Sequence, residues 1–361
     1  MPRRTATMLT STLLLIAVLC AAVLIRVPYA EMSPGPTVNT LGEYGGEPVL
    51  SIEGRKTHEP SGHLNMTTVR VTGAEYRMNL VEAVYGWLAD DSAVVPHDTL
   101  YPDDKSAEEV REENAEEFTQ SLESAKVAAL RELGIPVGER VVVASVVKDG
   151  PAEGRLHAGD VIRAVDGEPV EQPDDVARLV TEHDPGEDVV FTVVPAKRAE
   201  EAEKEGGEPT GGREVTVATT EADDGRAIVG IRAGLDHTFP FEIDIELADV
   251  GGPSAGLMFA LGIVDKLSEE DLTGGEFVAG TGTIDGEGEV GPIGGIGMKT
   301  IAARDKGAKY FLTPEANCEA AARDVPEGLT LVRVGSLDDA LEALEHVRSG
   351  NTDALPSCAA G

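Results

Sequence analysis

The segment GGPSAG, residues 251–256, places one hydroxyl, Ser254, among three glycines and a proline, directly before the apolar run LMFALGIVDKL. The periodicity of that run predicts a helix starting near the serine. A serine at a helix N-terminus meets backbone amides and the positive end of the helix dipole, which suit both an activated alkoxide and the oxyanion of a tetrahedral intermediate. The same position suits a plain N-capping serine with glycines present for packing, and this segment alone does not separate the two.

A serine nucleophile needs a base. Residues 252–256 fit G-x-S-x-G, the nucleophile elbow of α/β-hydrolases, which requires an acid and then a histidine downstream. Only His346 follows, in a predicted helix near the end, while His58, His63, His97, His157, His183 and His237 fall in no motif. A lysine serves instead when burial lowers its pKa toward neutrality. Four of the ten lysines follow Ser254. Lys266 is about three turns along the helix that Ser254 begins, and Lys306 and Lys309 sit in the polar stretch DKGAKY. Lys299 follows the Gly-rich segment GPIGGIGM and is flanked by Met298 and Ile301, a setting that desolvates an amine. A lysine at a helix start is also an ordinary surface group, so residue type alone leaves its role open.

Residues 249–315 resemble the proteolytic domain of Lon peptidases. GPSAG resembles the segment that carries that family's serine, and GPIGGIGMK its PIGG segment with the lysine four positions on. Thr281, in VAGTG and 18 residues before Lys299, is similar to the family threonine that hydrogen-bonds the lysine. The resemblance implies a Ser254/Lys299 dyad supported by Thr281, with backbone amides of Ser254, Gly251 and Gly252 forming an oxyanion hole. Two features depart from it. Gly251 stands where some Lon proteins carry an acid, and the loop into GGPSAG is short. Asp244 and Glu246, alternating in FEIDIEL, face either a cleft or, as an exposed strand face, solvent.

Upstream, VVVASVV, GRLHAGDVIRAVDG (residues 154–167), DDVARLVTEH and VVFTVVPAKR give strand, turn, strand, helix and hairpin. GRLHAGDVIRAVDG resembles a bacterial PDZ signature in which Gly159 and Asp160 turn the chain into a buried strand. That resemblance implies peptide capture by β-augmentation, or alternatively a spacer, since Pro136 removes an amide from the place expected to hold a terminal carboxylate. The stretch AKRAEEAEKEGGEPTGGR is too polar to order itself. The expected architecture is α+β: residues 1–30 a cytoplasmic tip and transmembrane anchor, 31–133 an extracytoplasmic α/β region, 134–221 a PDZ domain with a mobile insert at 196–213, 222–348 a Lon-type domain, and 349–361 a flexible tail. HLNMTTVRV reads as a strand and 107–133 as a helix.

After Arg3 and Arg4, the run from Met8 to Ile25 is near the lower limit for spanning a bilayer, and the positive-inside rule keeps the N-terminus cytoplasmic. A cleaved signal peptide is the competing reading, but no good small-x-small site follows. The formal net charge of -35 argues against nucleic acid as a partner. With Cys20 in the apolar run, only Cys318 and Cys358 remain to pair, and packing rather than a disulfide is expected to hold the fold. There is no G-x-x-x-x-G-K-[ST], H-E-x-x-H or EF-hand pattern, so no ATP, cofactor or metal is expected. Anchor, PDZ module and missing ATPase together resemble the bacterial PDZ-containing Lon-like proteins. The implied protein is an ATP-independent, membrane-anchored serine endopeptidase acting on polypeptide substrates, a hexamer by analogy with ring-forming Lon domains. The alternative is an inactive PDZ scaffold that docks envelope proteins.

Overall fold

The computed structural model describes residues 3–102, 104–204, 207, 209–247 and 250–358. They form two compact units, one of residues 1–134 with 241–361 and one of residues 135–240. The first unit opens with α1 (Arg3–Leu24), whose window Thr7–Leu24 has a mean hydropathy of 2.4 and no burial. Its length and composition fit a membrane span or a signal sequence. Then come β1 (Tyr29–Asn39), β2 (Leu50–Glu53), β3 (His63–Val71), α2 (Leu80–Leu88), β4 (Ala93–Pro96) and α3 (Ala107–Glu132). α3 starts on a capping box: Ser106 Oγ accepts from the Glu109 amide and the Glu109 carboxylate accepts from the Ser106 amide.

The second unit contains β5 (Gly138–Val146), β6 (Val161–Val165), α4 (Pro173–Thr181), β7 (Asp188–Val194), α5 (Ala196–Lys204), β8 (Arg213–Ala218) and β9 (Ile231–Thr238). Its antiparallel sheet runs β8-β7-β6-β5-β9. Alternate residues Val141 and Val143 of β5 and Val189, Phe191 and Val193 of β7 fill a core closed by Leu179 of α4. Asp160 is buried at the turn into β6, where its carboxylate accepts from the amides of His157 and Ala196. Those partners make its burial tolerable.

Two sequence expectations need correction here. The boundary expected at 222 lies at 241, because β9 pairs along its whole length with β5. The insert expected to be mobile over 196–213 starts with the helix α5, whose Ala199 is buried with Val142, Val161 and Val194, and β8 begins at its end. Residues 205, 206 and 208 of it lie outside the described residues.

The chain returns to the first unit through β10 (Glu242–Ile245), α6 (Gly256–Leu267), β11 (Phe277–Gly280), the short strands β12 (Thr283–Ile284) and β13 (Val290–Gly291), α7 (Ile296–Asp305), β14 (Tyr310–Pro314), β15 (Thr330–Val334) and α8 (Leu337–Ser349). A six-stranded sheet runs β15-β14-β11-β3-β1-β4, parallel from β15 to β3 and antiparallel beyond. Residues 31–133 are therefore not a separate region, as the sequence suggested: β3 is a central strand beside β11. Leu64 and Met66 are buried, and so are Asn65 and Thr67, which bond to Thr37 and to the Gly280 carbonyl. These polar residues hide a two-sided buried strand from a hydropathy reading.

Every residue of α6 from Gly256 to Asp265 is buried, as expected of a helix that is apolar all round. The tail expected to be flexible is fastened as far as residue 358. Cys358 forms a disulfide with Cys318, and the Arg333 amide donates to the Pro356 carbonyl. This corrects the expectation of a fold held by packing alone; residues 359–361 lie outside the described residues.

Candidate active site

Ser254 lies two residues before the first helical residue of α6, on a loop that α3 holds from outside. The Gly252 amide donates to the Asn114 carbonyl at 2.8 Å and Ser121 Oγ donates to the Pro253 carbonyl at 2.8 Å. Gly252 has φ +81°, a conformation other residues rarely adopt. Its engaged amide is a correction: Gly252 was expected to serve an oxyanion hole, but its N–H is committed to α3. Gly251 serves close packing, since a Cβ there would approach Asn114 Cβ to 3.1 Å.

At Gly256 a Cβ would lie 2.7 Å from Ser121 Oγ and 2.8 Å from the branched Ile284 Cγ2. Gly256→Ala is therefore expected to cost about 1–3 kcal/mol of stability, measured by denaturant unfolding against wild type.

Lys299 enters from α7, whose N-cap Gly295 has φ +70°. A Cβ on Gly295 would meet Val69 Cγ2 at 2.7 Å, so the glycine lets the start of α7 sit against β3 and aims Lys299 inward. The amine is buried, with the residue only 3% exposed, and desolvation pushes its pKa down to about 7. Lys299 Nζ lies 2.7 Å from Ser254 Oγ and donates to Thr281 Oγ1 at 2.9 Å. Thr281, just past β11 and fully buried, donates its own proton to the Ser254 carbonyl at 2.9 Å. With that proton committed, the Thr281 oxygen can only accept from the amine, which fixes the amine's position. The structure thus brings Ser254, Thr281 and Lys299 into one hydrogen-bonded chain.

The other candidates are elsewhere. Lys306 and Lys309 are exposed, Lys309 pairing with Glu276 at 2.6 Å. His346 lines a different cavity with Glu315 and Arg333. Asp244 and Glu246 are both exposed on and just after β10, and Ala248 and Asp249 are outside the described residues.

Next to Ser254 is an open cavity of about 350 Å³ lined by Pro253, Thr283, Pro292, Ile293 and Gly294. Its wall is held by a side chain that the sequence did not single out. Asn317 accepts from the Ile293 amide and donates to the Ile293 carbonyl, both at 2.9 Å, one residue before the disulfide-bonded Cys318. Asn114 and Ser121 were likewise missed, although they are seven residues apart on one face of a helix.

Comparison with known proteins adds to this geometry. Residues 248–346 match the family model of the Lon protease (S16) C-terminal proteolytic domain, and residues 110–203 match that of the PDZ domain. The PDZ match begins inside α3, which packs in the first unit, whereas the second unit starts at residue 135. A Lon protease of Lachnoclostridium phytofermentans is 34% identical over 94 residues, which is 25% of this chain and 11% of that protein. A probable periplasmic serine endoprotease DegP-like of Brucella suis biovar 1 is 46% identical over 70 residues, 19% of this chain and 14% of that protein. A solved PDZ domain of an SdrC-like protein from Listeria innocua aligns at 25% identity with a TM-score of 0.21, covering 26% of this chain and 90% of that one. The chain thus spans well under a fifth of the length of these curated relatives. It carries a Lon-type (S16) proteolytic domain preceded by a PDZ domain.

Proposed function

We propose that the protein is a membrane-anchored serine endopeptidase in which Ser254 is the nucleophile and Lys299 the general base. The observation that carries this reading is the 2.7 Å approach of Lys299 Nζ to Ser254 Oγ in a buried site that lowers the amine's pKa to about 7, so that a substantial fraction is neutral near neutral pH. The neutral amine takes the Ser254 proton while Oγ attacks a peptide carbonyl carbon, and the resulting ammonium gives that proton to the leaving nitrogen as the peptide bond breaks. Water, activated by the same amine, then hydrolyses the acyl-enzyme. The amides of Ser254 and Ala255, ahead of the first helical residue, face the developing oxyanion. The apolar cavity beside Ser254 receives a substrate side chain.

Thr281 is a positioning residue. Thr281→Val keeps the volume but removes the oxygen that holds the amine, and is expected to lower kcat on the order of 100-fold with KM little changed. Thr281→Ser should restore most of the rate.

The apolar stretch Thr7–Leu24 of α1, preceded by Arg3 and Arg4, supports an uncleaved anchor with a cytoplasmic N-terminus. The Cys318–Cys358 disulfide supports placing the body in an oxidising, extracytoplasmic compartment. Without a Walker A segment the chain cannot drive unfolding, so its substrates are unfolded or exposed polypeptide segments, with the PDZ domain engaging substrate or regulating access. The test is incubation of the full chain in detergent with an unstructured peptide. Wild type should cleave it and Ser254→Ala should not. Equal behaviour of the two would leave only a docking scaffold.

A further inference from the structure

Helix α2, LVEAVYGWL, carries its apolar side chains on the wrong side for a globular protein. Only Ala83 and Gly86 are buried. Gly86 gives the close approach, since a Cβ there would meet Val94 Cγ2 of β4 at 3.0 Å and the Glu31 carboxyl carbon of β1 at 3.6 Å. At 100° per residue Trp87, Leu80, Val84, Leu88, Val81 and Tyr85 cover an arc of roughly 160° on the other side. All six are exposed, Trp87 by 75%, Tyr85 by 74% and Leu88 by 68%. The helix has one charge, Glu82, and it is turned back into the cap, where it accepts from the Asn79 amide and from the Tyr76 hydroxyl, both at 2.8 Å. A contiguous uncharged surface of this kind marks a binding face.

Its position says what covers it. The Leu80 amide donates to the Ile25 carbonyl at 3.0 Å, and the Val27 amide donates to the Met78 carbonyl at 2.9 Å. Ile25 is the residue after the last turn of α1. The first residue of α2 is therefore hydrogen-bonded to the point where the apolar helix ends, and all nine residues of α2 lie within about 14 Å of that point. A bilayer has a polar interfacial layer several Å thick on each side of its apolar core, which is where Trp and Tyr side chains settle.

We propose that α2 is an interfacial helix, its Trp87, Tyr85 and Leu88 face embedded in the boundary of headgroups and acyl chains of the leaflet that α1 exits. This rests on the reading of α1 as a membrane span. A short amphipathic helix binds such a surface through its apolar face, and here it needs no affinity of its own because α1 already holds it there. The consequence for the first unit is a second attachment. α2 packs on β1 and β4 of the sheet that supports Lys299, so two anchors fix the tilt of the active-site unit to the bilayer where one helix would let it swivel.

Trp87 is the single tryptophan of the chain and so reports on α2 directly. The full chain is reconstituted into phosphatidylcholine vesicles, tested for co-flotation, and its Trp emission is challenged with lipids brominated on the acyl chains and with aqueous iodide. The expected result is co-flotation, loss of most of the Trp87 emission with brominated lipid, and little change with iodide. Co-flotation with quenching by iodide and none by brominated lipid overturns the interfacial helix while leaving the anchor in place. Co-flotation with protection from both overturns it in favour of a second copy of the chain covering α2. Failure to co-float removes the anchor and the inference with it.

Discussion

Lys299→Arg is expected to abolish peptide cleavage as completely as Ser254→Ala, a loss on the order of 10⁴-fold or more in kcat, because residues that act as a unit lose nearly everything when either is removed. The substitution keeps the positive charge and much of the length, so a lysine that merely filled space or balanced charge would tolerate it. A guanidinium does not deprotonate at any accessible pH and cannot take the Ser254 proton. It would also have to fit where the residue is 3% exposed and Nζ already touches Ser254 Oγ and Thr281 Oγ1. Circular dichroism and thermal unfolding of the variant separate a lost base from a lost fold, and peptide hydrolysis gives the rate.

The second large effect is on pH dependence. Burial lowers the Lys299 pKa from 10.5 to about 7, and the base is the neutral form. Activity must therefore rise as pH increases, tenfold per unit well below the pKa, and level off above it. With free enzyme and free substrate, kcat/KM reports the pKa of the unliganded site, so its midpoint is expected near 7 rather than near 10.5. An enzyme with an ordinary solvated lysine as base would keep rising through pH 9. A fall in kcat/KM between pH 6 and 8 would mean that the ammonium is the working form, and the roles of Ser254 and Lys299 would need to be redrawn. The profile is read with a peptide free of ionisable side chains, so that only the enzyme titrates.

How much of this was visible in the sequence depends on how local each signal is. Ser254, Thr281 and Lys299 were legible only together, through the resemblance of their short segments and spacing to the Lon proteolytic domain, since neither the serine nor the lysine stood out alone; the structure places their side chains in one hydrogen-bonded chain. The helix after Ser254 was legible from its apolar run, and β3 and α3 were legible as isolated elements. Their place in the fold was not. The parallel pairing of β3 with β11 joins His63 to Phe277 across an inserted second unit, and no local pattern encodes a pairing at that separation. Asn65 and Thr67 made β3 look too polar for the centre of a sheet.

The support of the site was harder still. Asn114, through its main-chain carbonyl, and Ser121 each make one hydrogen bond to a backbone atom, of Gly252 and Pro253, and Asn317 makes two to Ile293. Such contacts are set by where the main chain passes, which residue type does not reveal. The same limit explains the oxyanion hole. Sequence placed glycine amides near the serine, and only coordinates show that the Gly252 amide is already bonded to α3.

The most direct test of the central claim is intact-mass analysis of the full chain quenched early in turnover of an activated peptide ester. The expected result is a single acyl adduct that peptide mapping places on Ser254, forming faster as pH rises through 7 and absent from both Ser254→Ala and Lys299→Arg. An adduct on another residue, or one that forms equally well in Lys299→Arg, would contradict it.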